Sequence, residues 1–132
     1  MKKQKGTTLI EALVAITVIV IGLLALYSAI ISGMTINLKA KHKAIAYNIG
    51  AQEMEIIRNE DFTSLSNRTD DPFIGTITDL DKLPQGTGQL TISDYGGTSD
   101  IKQVIIKVLW QEMGQQKNIT LTTLVYKEGL NQ

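Results

Sequence analysis

The sequence predicts an α+β protein: a long N-terminal helix followed by a small antiparallel sheet laid on its second half. Two patterns carry that expectation. Residues 9–31 are dominated by Leu, Ile, Val and Ala, and no charge occurs from Ala12 to Leu38. Residues 102–110 and 119–126 instead alternate side chains at the two-residue period of a pleated strand.

The apolar run exceeds the roughly 20 residues that a bilayer-spanning helix needs. Lys2, Lys3 and Lys5 precede it, and Lys39, Lys41 and Lys43 follow it. The first cluster abuts the run at the extreme terminus, so the positive-inside tendency places the N-terminus in the cytoplasm and the remainder outside. A removed secretory signal wants an apolar core of about 7–15 residues and a small-x-small cleavage site. Here the core is longer, and Ile31 stands where a small residue is needed before Ser32 and Gly33. An ordinary signal anchor and a leader cut ahead of the apolar run are the two remaining readings.

The boundary separates them. Lys2-Lys3-Gln4-Lys5 ends in Gly6, and Thr7, Thr8, Leu9, Ile10 and Glu11 lead into unbroken aliphatics. A carboxylate one turn into a membrane helix costs about 2.5–3.5 kcal/mol on insertion scales. Cleavage after Gly6 would create a cation at the Thr7 amine, about one helical turn from Glu11, and a neighbouring subunit's amine would serve equally. Gly6, lacking a Cβ, lets a protease approach the backbone closely.

Here residues 1 to about 40 resemble the type IV prepilin family. Gly6-Thr7-Thr8-Leu9-Ile10-Glu11 is similar to that family's glycine, one residue, then Thr-Leu-Ile-Glu and an aliphatic helix. The resemblance implies a membrane aspartyl peptidase that cuts after Gly6 and methylates the new terminus at Thr7. It also implies that Glu11 guides subunit docking. Thr7 stands where the family usually has phenylalanine, a departure that bears on methylation more than on cleavage. The helix also lacks the proline of many major pilins. Residues 18–26 look most like minor pilins of the V type and the pseudopilin I of type II secretion.

Gly22, Ala25, Ala29 and Gly33 fall at helical spacing, with Ser28 and Ser32 beside them. Small residues let helices approach closely in lipid, which makes this ridge a candidate packing face. Beyond the membrane, Leu38, Ile45, Ile49 and Ile56, widened by Ala44, Ala46, Met54 and Ile57, continue a helical stripe. Lys39, Lys41, Lys43, Gln52, Glu53, Glu55 and Arg58 supply its polar remainder. One helix from Thr7 to about Glu60 would be roughly 80 Å long.

After Asp61, frequent Gly and Asp and both prolines, Pro72 and Pro84, predict loops and short strands. Residues 73–78 and 89–93 are strand candidates. Residues 102–110 form a stronger one, with Val104, Ile106, Val108 and Trp110 on one face. Residues 119–126 are its partner, and residues 111–118 the connecting loop. The expected organisation is a leader over 1–6, a membrane or filament-core helix over 7–33, an amphipathic continuation over 34–60 and a β domain over 61–132.

Composition removes several classes of function. The chain has 132 residues, a formal net charge of zero and no cysteine, which excludes disulfides, Cys-ligated metals and thiol nucleophiles. Beyond Glu11 it is slightly acidic, with no strong nucleic-acid signal. Gly86-Thr87-Gly88 lacks the lysine and following helix of a phosphate loop and reads as a turn. His42, flanked by lysines, reads as part of a solvated helix face. Asp70, Asp71, Asp79 and Asp81 form an acidic loop without EF-hand spacing. Calcium binding by some resembling pseudopilins is set against plain solvation there. Asn67-Arg68-Thr69 and Asn118-Ile119-Thr120 fit glycosylation acceptors, a tripeptide common by chance.

No nucleophile–base pair is visible, and no metal or cofactor is called for. The expectation is a non-enzymatic minor pilin or pseudopilin. It resides in the bacterial inner membrane and then in a pilus or pseudopilus. Its expected partners are prepilin peptidase, other pilin subunits, an inner-membrane assembly platform and membrane lipid. The alternatives are a competence or DNA-uptake pseudopilin and a monomeric membrane-tethered binding module.

Overall fold

The computed structural model describes residues 8–73 and 78–127. The order is α1 (Leu9–Arg58), η1 (Phe62–Ser64), β1 (Arg68–Pro72), η2 (Thr78–Lys82), β2 (Thr87–Tyr95), β3 (Thr98–Glu112) and β4 (Gln115–Tyr126). The four strands make one antiparallel sheet in the order β1-β2-β3-β4. The architecture is the expected α+β combination of a long N-terminal helix and an antiparallel sheet. Contacts divide the chain into two compact units, Met1–Leu38 and Lys39–Gln132.

In the first unit, α1 is apolar around its circumference, and its large side chains are exposed from Leu9 to Leu38. Two of its hydroxyls turn back onto the helix. Thr17 Oγ1 donates to the Leu13 carbonyl at 2.8 Å, and Thr35 Oγ1 donates to the Ile31 carbonyl at 2.9 Å. Such bonds let a polar side chain occupy an apolar helix without an outside partner.

In the second unit, α1 buries Ala46, Ile49, Gly50, Glu53, Met54 and Ile57. The spacing is helical, but the stripe is rotated from the expected one: Ala44 is exposed, and Ile45 and Ile56 are only half-buried. Hydrophobicity alone could not locate the centre of this face, because Gly50 and Glu53 lie on it. Gly50 permits close approach, since a Cβ there would come within 2.8 Å of Leu121 Cδ1. Glu53, expected on the polar face, is fully buried.

The sheet presents Val104, Ile106, Val108 and Trp110 to this helix, all at or below 5% exposure, as the alternation predicts. One end of the core joins Met54, Ile57, Leu65, Leu90, Ile92, Val104 and Ile106, and the other joins Ala46, Ile49, Leu83, Val108 and Trp110. Phe73 packs against both. Trp110 Nε1 is buried and finds no acceptor among the described residues.

The β3–β4 connection is shorter than expected. Glu112 pairs with Gln115, so only Met113 and Gly114 turn, with φ of 51° and 76°. Two successive positive φ values match the right-handed twist of a hairpin, and a methionine in that position gives no turn signal in the sequence. Gly96 and Gly97, at φ 66° and 76°, make the β2–β3 turn in the same way. The strand candidate at 89–93 lies within β2. That at 73–78 is corrected at its ends, since Phe73 follows β1 and Thr78 opens η2, while residues 74–77 lie outside the described residues. The first strand is instead Arg68–Pro72, an acidic segment without apolar alternation that joins the sheet through β2.

Truncating the fully buried Ile106 or Ile49 to alanine should cost about 2–5 kcal/mol in urea unfolding, from lost burial and the residual cavity. Thr120→Ala, on an exposed position of β4, should stay within about 0.5 kcal/mol.

Candidate functional site

The expected processing residues Gly6 and Thr7 lie outside the described residues. The segment that follows them is defined by a cap. Thr8 Oγ1 accepts the Glu11 backbone N–H at 3.3 Å, and the Thr8 carbonyl accepts the Ala12 N–H at 3.1 Å. Thr8-Leu9-Ile10-Glu11 thus has the residue order of a capping box, with Thr8 at the N-cap and an acid in the first turn. That signal was available in the sequence and starts the helix at Leu9. Glu11 also suits the positive end of the helix dipole. The bond engages its backbone rather than its carboxylate.

Gly22, Ala25, Ala29 and Gly33 all lie on α1 in the first unit. Nothing comes within 4 Å of a Cβ built on Gly22 or Gly33. The described chain therefore gives no steric reason for glycine at either position. Each costs about 1 kcal/mol against alanine in an ordinary helix.

The second unit holds two polar clusters that the sequence did not reveal. His42 is not on a solvated face. Its Nδ1 lies 3.1 Å from Glu112 Oε1, and the two side chains are 12% and 8% exposed. The pair ties α1 to the last residue of β3, next to the Met113-Gly114 turn. Seventy residues separate the partners, so no local pattern could have paired them.

The other cluster joins Asn67, Asp94 and Lys102. Lys102 Nζ donates to Asp94 Oδ1 and to Asn67 Oδ1, each at 2.7 Å, and Asn67 Nδ2 donates to Asp94 Oδ2 at 2.9 Å. The hydrogen bond from Lys102, followed by that from Asn67, holds the Asp94 carboxyl below its ordinary value of 3.8. The triad ties the approach to β1 to the β2–β3 hairpin, and it removes Asn67 from the set of freely presented acceptor asparagines.

The four acidic residues are distributed between two elements, Asp70 and Asp71 in β1 and Asp79 and Asp81 in η2. Asp79 pairs with Lys82 at 2.7 Å. No group of three or more metal-ligating side chains occurs among the described residues.

Residues 1–27 match the family model of the prokaryotic N-terminal methylation motif. The match supports a type IV pilin-like prepilin. It covers Glu11 and most of the apolar run, and α1 is long and apolar enough to cross a membrane. Together these are consistent with a single-pass inner-membrane anchor, and they point to a structural subunit rather than an enzyme. The motif implies processing by a prepilin peptidase and assembly with other pilins. No curated protein and no solved structure matches the chain.

Two predictions follow from the clusters. His42→Ala and Glu112→Gln should each destabilise the fold, and their double-mutant cycle should show a coupling of about 0.5–3 kcal/mol in urea unfolding. A carboxyl lowered in the fold adds stability above its unfolded value and loses it as pH falls through the folded one. The stability gap between wild type and Asp94→Asn should therefore be present at neutral pH and close as the pH drops below 3.8, read by thermal melts across pH.

Proposed function

We propose that the chain is a minor pilin or pseudopilin of a type IV pilus or type II secretion-like filament, assembled through α1. The observation that carries this reading is the N-terminal methylation motif over residues 1–27. A prepilin peptidase cuts after Gly6, releasing residues 1–6 as the leader, and the new Thr7 amine is its methylation site. The second part of α1 and the sheet face outward, and an inner-membrane assembly platform draws the subunit from lipid into the filament.

In this mechanism Glu11 has an electrostatic task. Its carboxylate in the apolar layer is offset by the Thr7 amine of its own chain or of the adjacent subunit, which fixes the axial position of one helix against the next. Thr8 caps the helix through the Glu11 backbone N–H, so the cap and the charge pair use different atoms of one residue. The ridge of Gly22, Ala25, Ala29 and Gly33 then gives neighbouring helices a line of close approach.

Intact mass and N-terminal sequencing of the membrane-extracted protein, made with and without a co-expressed prepilin peptidase, test the pathway. The chain should begin at Thr7 only when the peptidase is present, with one added methyl. A chain beginning at Met1 under both conditions would leave an ordinary anchor. Gly6→Leu should yield an uncut, membrane-resident precursor. Glu11→Val should be inserted and cut but reduced about tenfold or more in sheared filaments, given the 2.5–3.5 kcal/mol scale of an uncompensated charge in the membrane. Normal incorporation of Glu11→Val would refute the charge pairing.

A further inference from the structure

The second unit begins with Lys39, one peptide bond after Leu38 ends the uncharged segment. Lys39 marks that boundary by chain connectivity alone. As helix, Leu9 to Leu38 would be about 45 Å long, close to the roughly 40–45 Å of a bilayer with its headgroup layers. In the single-pass reading above, on which this inference rests, Lys39 emerges at the headgroup surface.

Within the second unit, three elements meet at the end that carries Lys39. His42, three residues further on, lies 3.1 Å from Glu112 and so holds the Met113-Gly114 turn beside α1. The Pro84 carbonyl, just beyond η2, accepts the Gln111 N–H at 2.8 Å. Leu83 shares a core cluster with Ala46 and Trp110, and Leu80 packs against it.

The charges of this end do not balance. Lys39, Lys41, Lys43, Lys82 and Lys117 stand against Asp79, Asp81 and Glu112. Glu112 is turned inward onto His42, and Asp79 is taken by Lys82 at 2.7 Å. Among the described residues no ion pair engages Lys39, Lys41, Lys43 or Lys117, and Asp81 is the one acid of the group outside an ion pair. From Met113 to Lys127 the chain has no acid. Lys39, Lys41 and Lys43 are exposed. Met113, at the turn, is 69% exposed, more than any other large apolar side chain described in this unit.

We propose that this end of the second unit is a docking surface for the anionic headgroups of the membrane that α1 spans. Lys39, Lys41, Lys43 and Lys117 meet lipid phosphates, and Met113 enters the interface beside them. Cations next to an exposed apolar side chain are the combination that binds a protein surface to an anionic bilayer. Lysine suits mobile headgroups because its ammonium is a point charge on a flexible stem, with no fixed partner geometry. A zwitterionic surface offers no net charge to match, and a second copy of this end would repel the first. Docking holds the sheet against the bilayer before assembly, so the negative charge of the lipid sets how readily the subunit leaves it.

The native sequence has no cysteine, so Met113→Cys accepts a single fluorophore. The full-length protein is placed in nanodiscs of phosphatidylcholine, with or without phosphatidylglycerol, each containing a lipid with a nitroxide on its headgroup. Quenching at position 113 should be greater by about twofold or more in the anionic discs, and high salt should abolish the difference. A fluorophore at Ser99→Cys, near the opposite end of β3 and roughly 40 Å away along the strand, should respond alike to both lipids. Replacing Lys39, Lys41, Lys43 and Lys117 together by glutamine should remove the dependence on lipid charge at position 113, with an unaltered circular dichroism spectrum.

Equal quenching at position 113 in the two lipids would overturn the proposal, as would undiminished dependence on lipid charge in the glutamine variant. The same dependence at position 99 would also overturn it, because attraction would then not be confined to this end. Failure to enter discs of either lipid would overturn the single-pass reading and the docking with it. Insertion with quenching indifferent to lipid charge would overturn the docking alone, so the two failures are distinguished.

Discussion

A helix can bury one stripe against its own chain, but the apolar segment of α1 is uniform around its circumference. Its large side chains remain exposed from Leu9 to Leu38. Moving each from water is worth about 1.5–3 kcal/mol, a sum that no soluble monomer leaves ungained. Lipid is a covering medium consistent with that exposure, since α1 is long and apolar enough to cross a membrane. Thr17 and Thr35 fit that constraint because each returns its hydroxyl to a carbonyl one turn earlier. Glu11 is the residue whose charge the medium must accommodate.

The second unit solves a different problem with the same helix. Once the apolar pattern narrows to a stripe, α1 can be held by a sheet, and it approaches closely at Gly50, where Leu121 occupies the space a Cβ would fill. Four strands with one apolar face make a thin core, split between two clusters that share Phe73. Polar ties at the margins supplement it. His42 and Glu112 tie the helix to the end of β3, and Asn67, Asp94 and Lys102 tie the approach to β1 to the central hairpin.

What the sequence made legible follows from the range of each interaction. The β3 core face could be read because strand alternation is a local, repeating signal, and the apolar run because it is long. The 111–118 loop was too long because Met113 adopts a left-handed conformation that its side chain does not advertise. β1 was missed because Arg-Thr-Asp-Asp-Pro owes its conformation to pairing with β2 rather than to propensity. Glu53 and His42 were placed on the polar face because polarity was the available evidence, and their burial depends on residues distant in the chain. Of the site, the residues of Gly6-Thr7-Thr8-Leu9-Ile10-Glu11 were visible as a motif, but the capping geometry that joins Thr8 to Glu11 came from the structure.

That cap bears on why threonine and glutamate stand three residues apart at this boundary. A helix start leaves backbone N–H groups unsatisfied, and in an apolar medium each unmet donor is expensive. Thr8 meets one of them with a side chain short enough to stay beside the backbone. Glu11 adds negative charge where the helix dipole favours it. An amine created at Thr7 would be poorly placed at the same dipole end unless a carboxylate stood nearby, and Glu11 is one turn away. Under the proposed cleavage after Gly6, the residue that makes the apolar helix costly to insert would also be the one that makes a charged terminus tolerable there. Under that proposal, removing it would trade an insertion cost for an unmatched cation, and the motif would act as a coupled pair of charges on a capped helix rather than as an isolated acid in an apolar run.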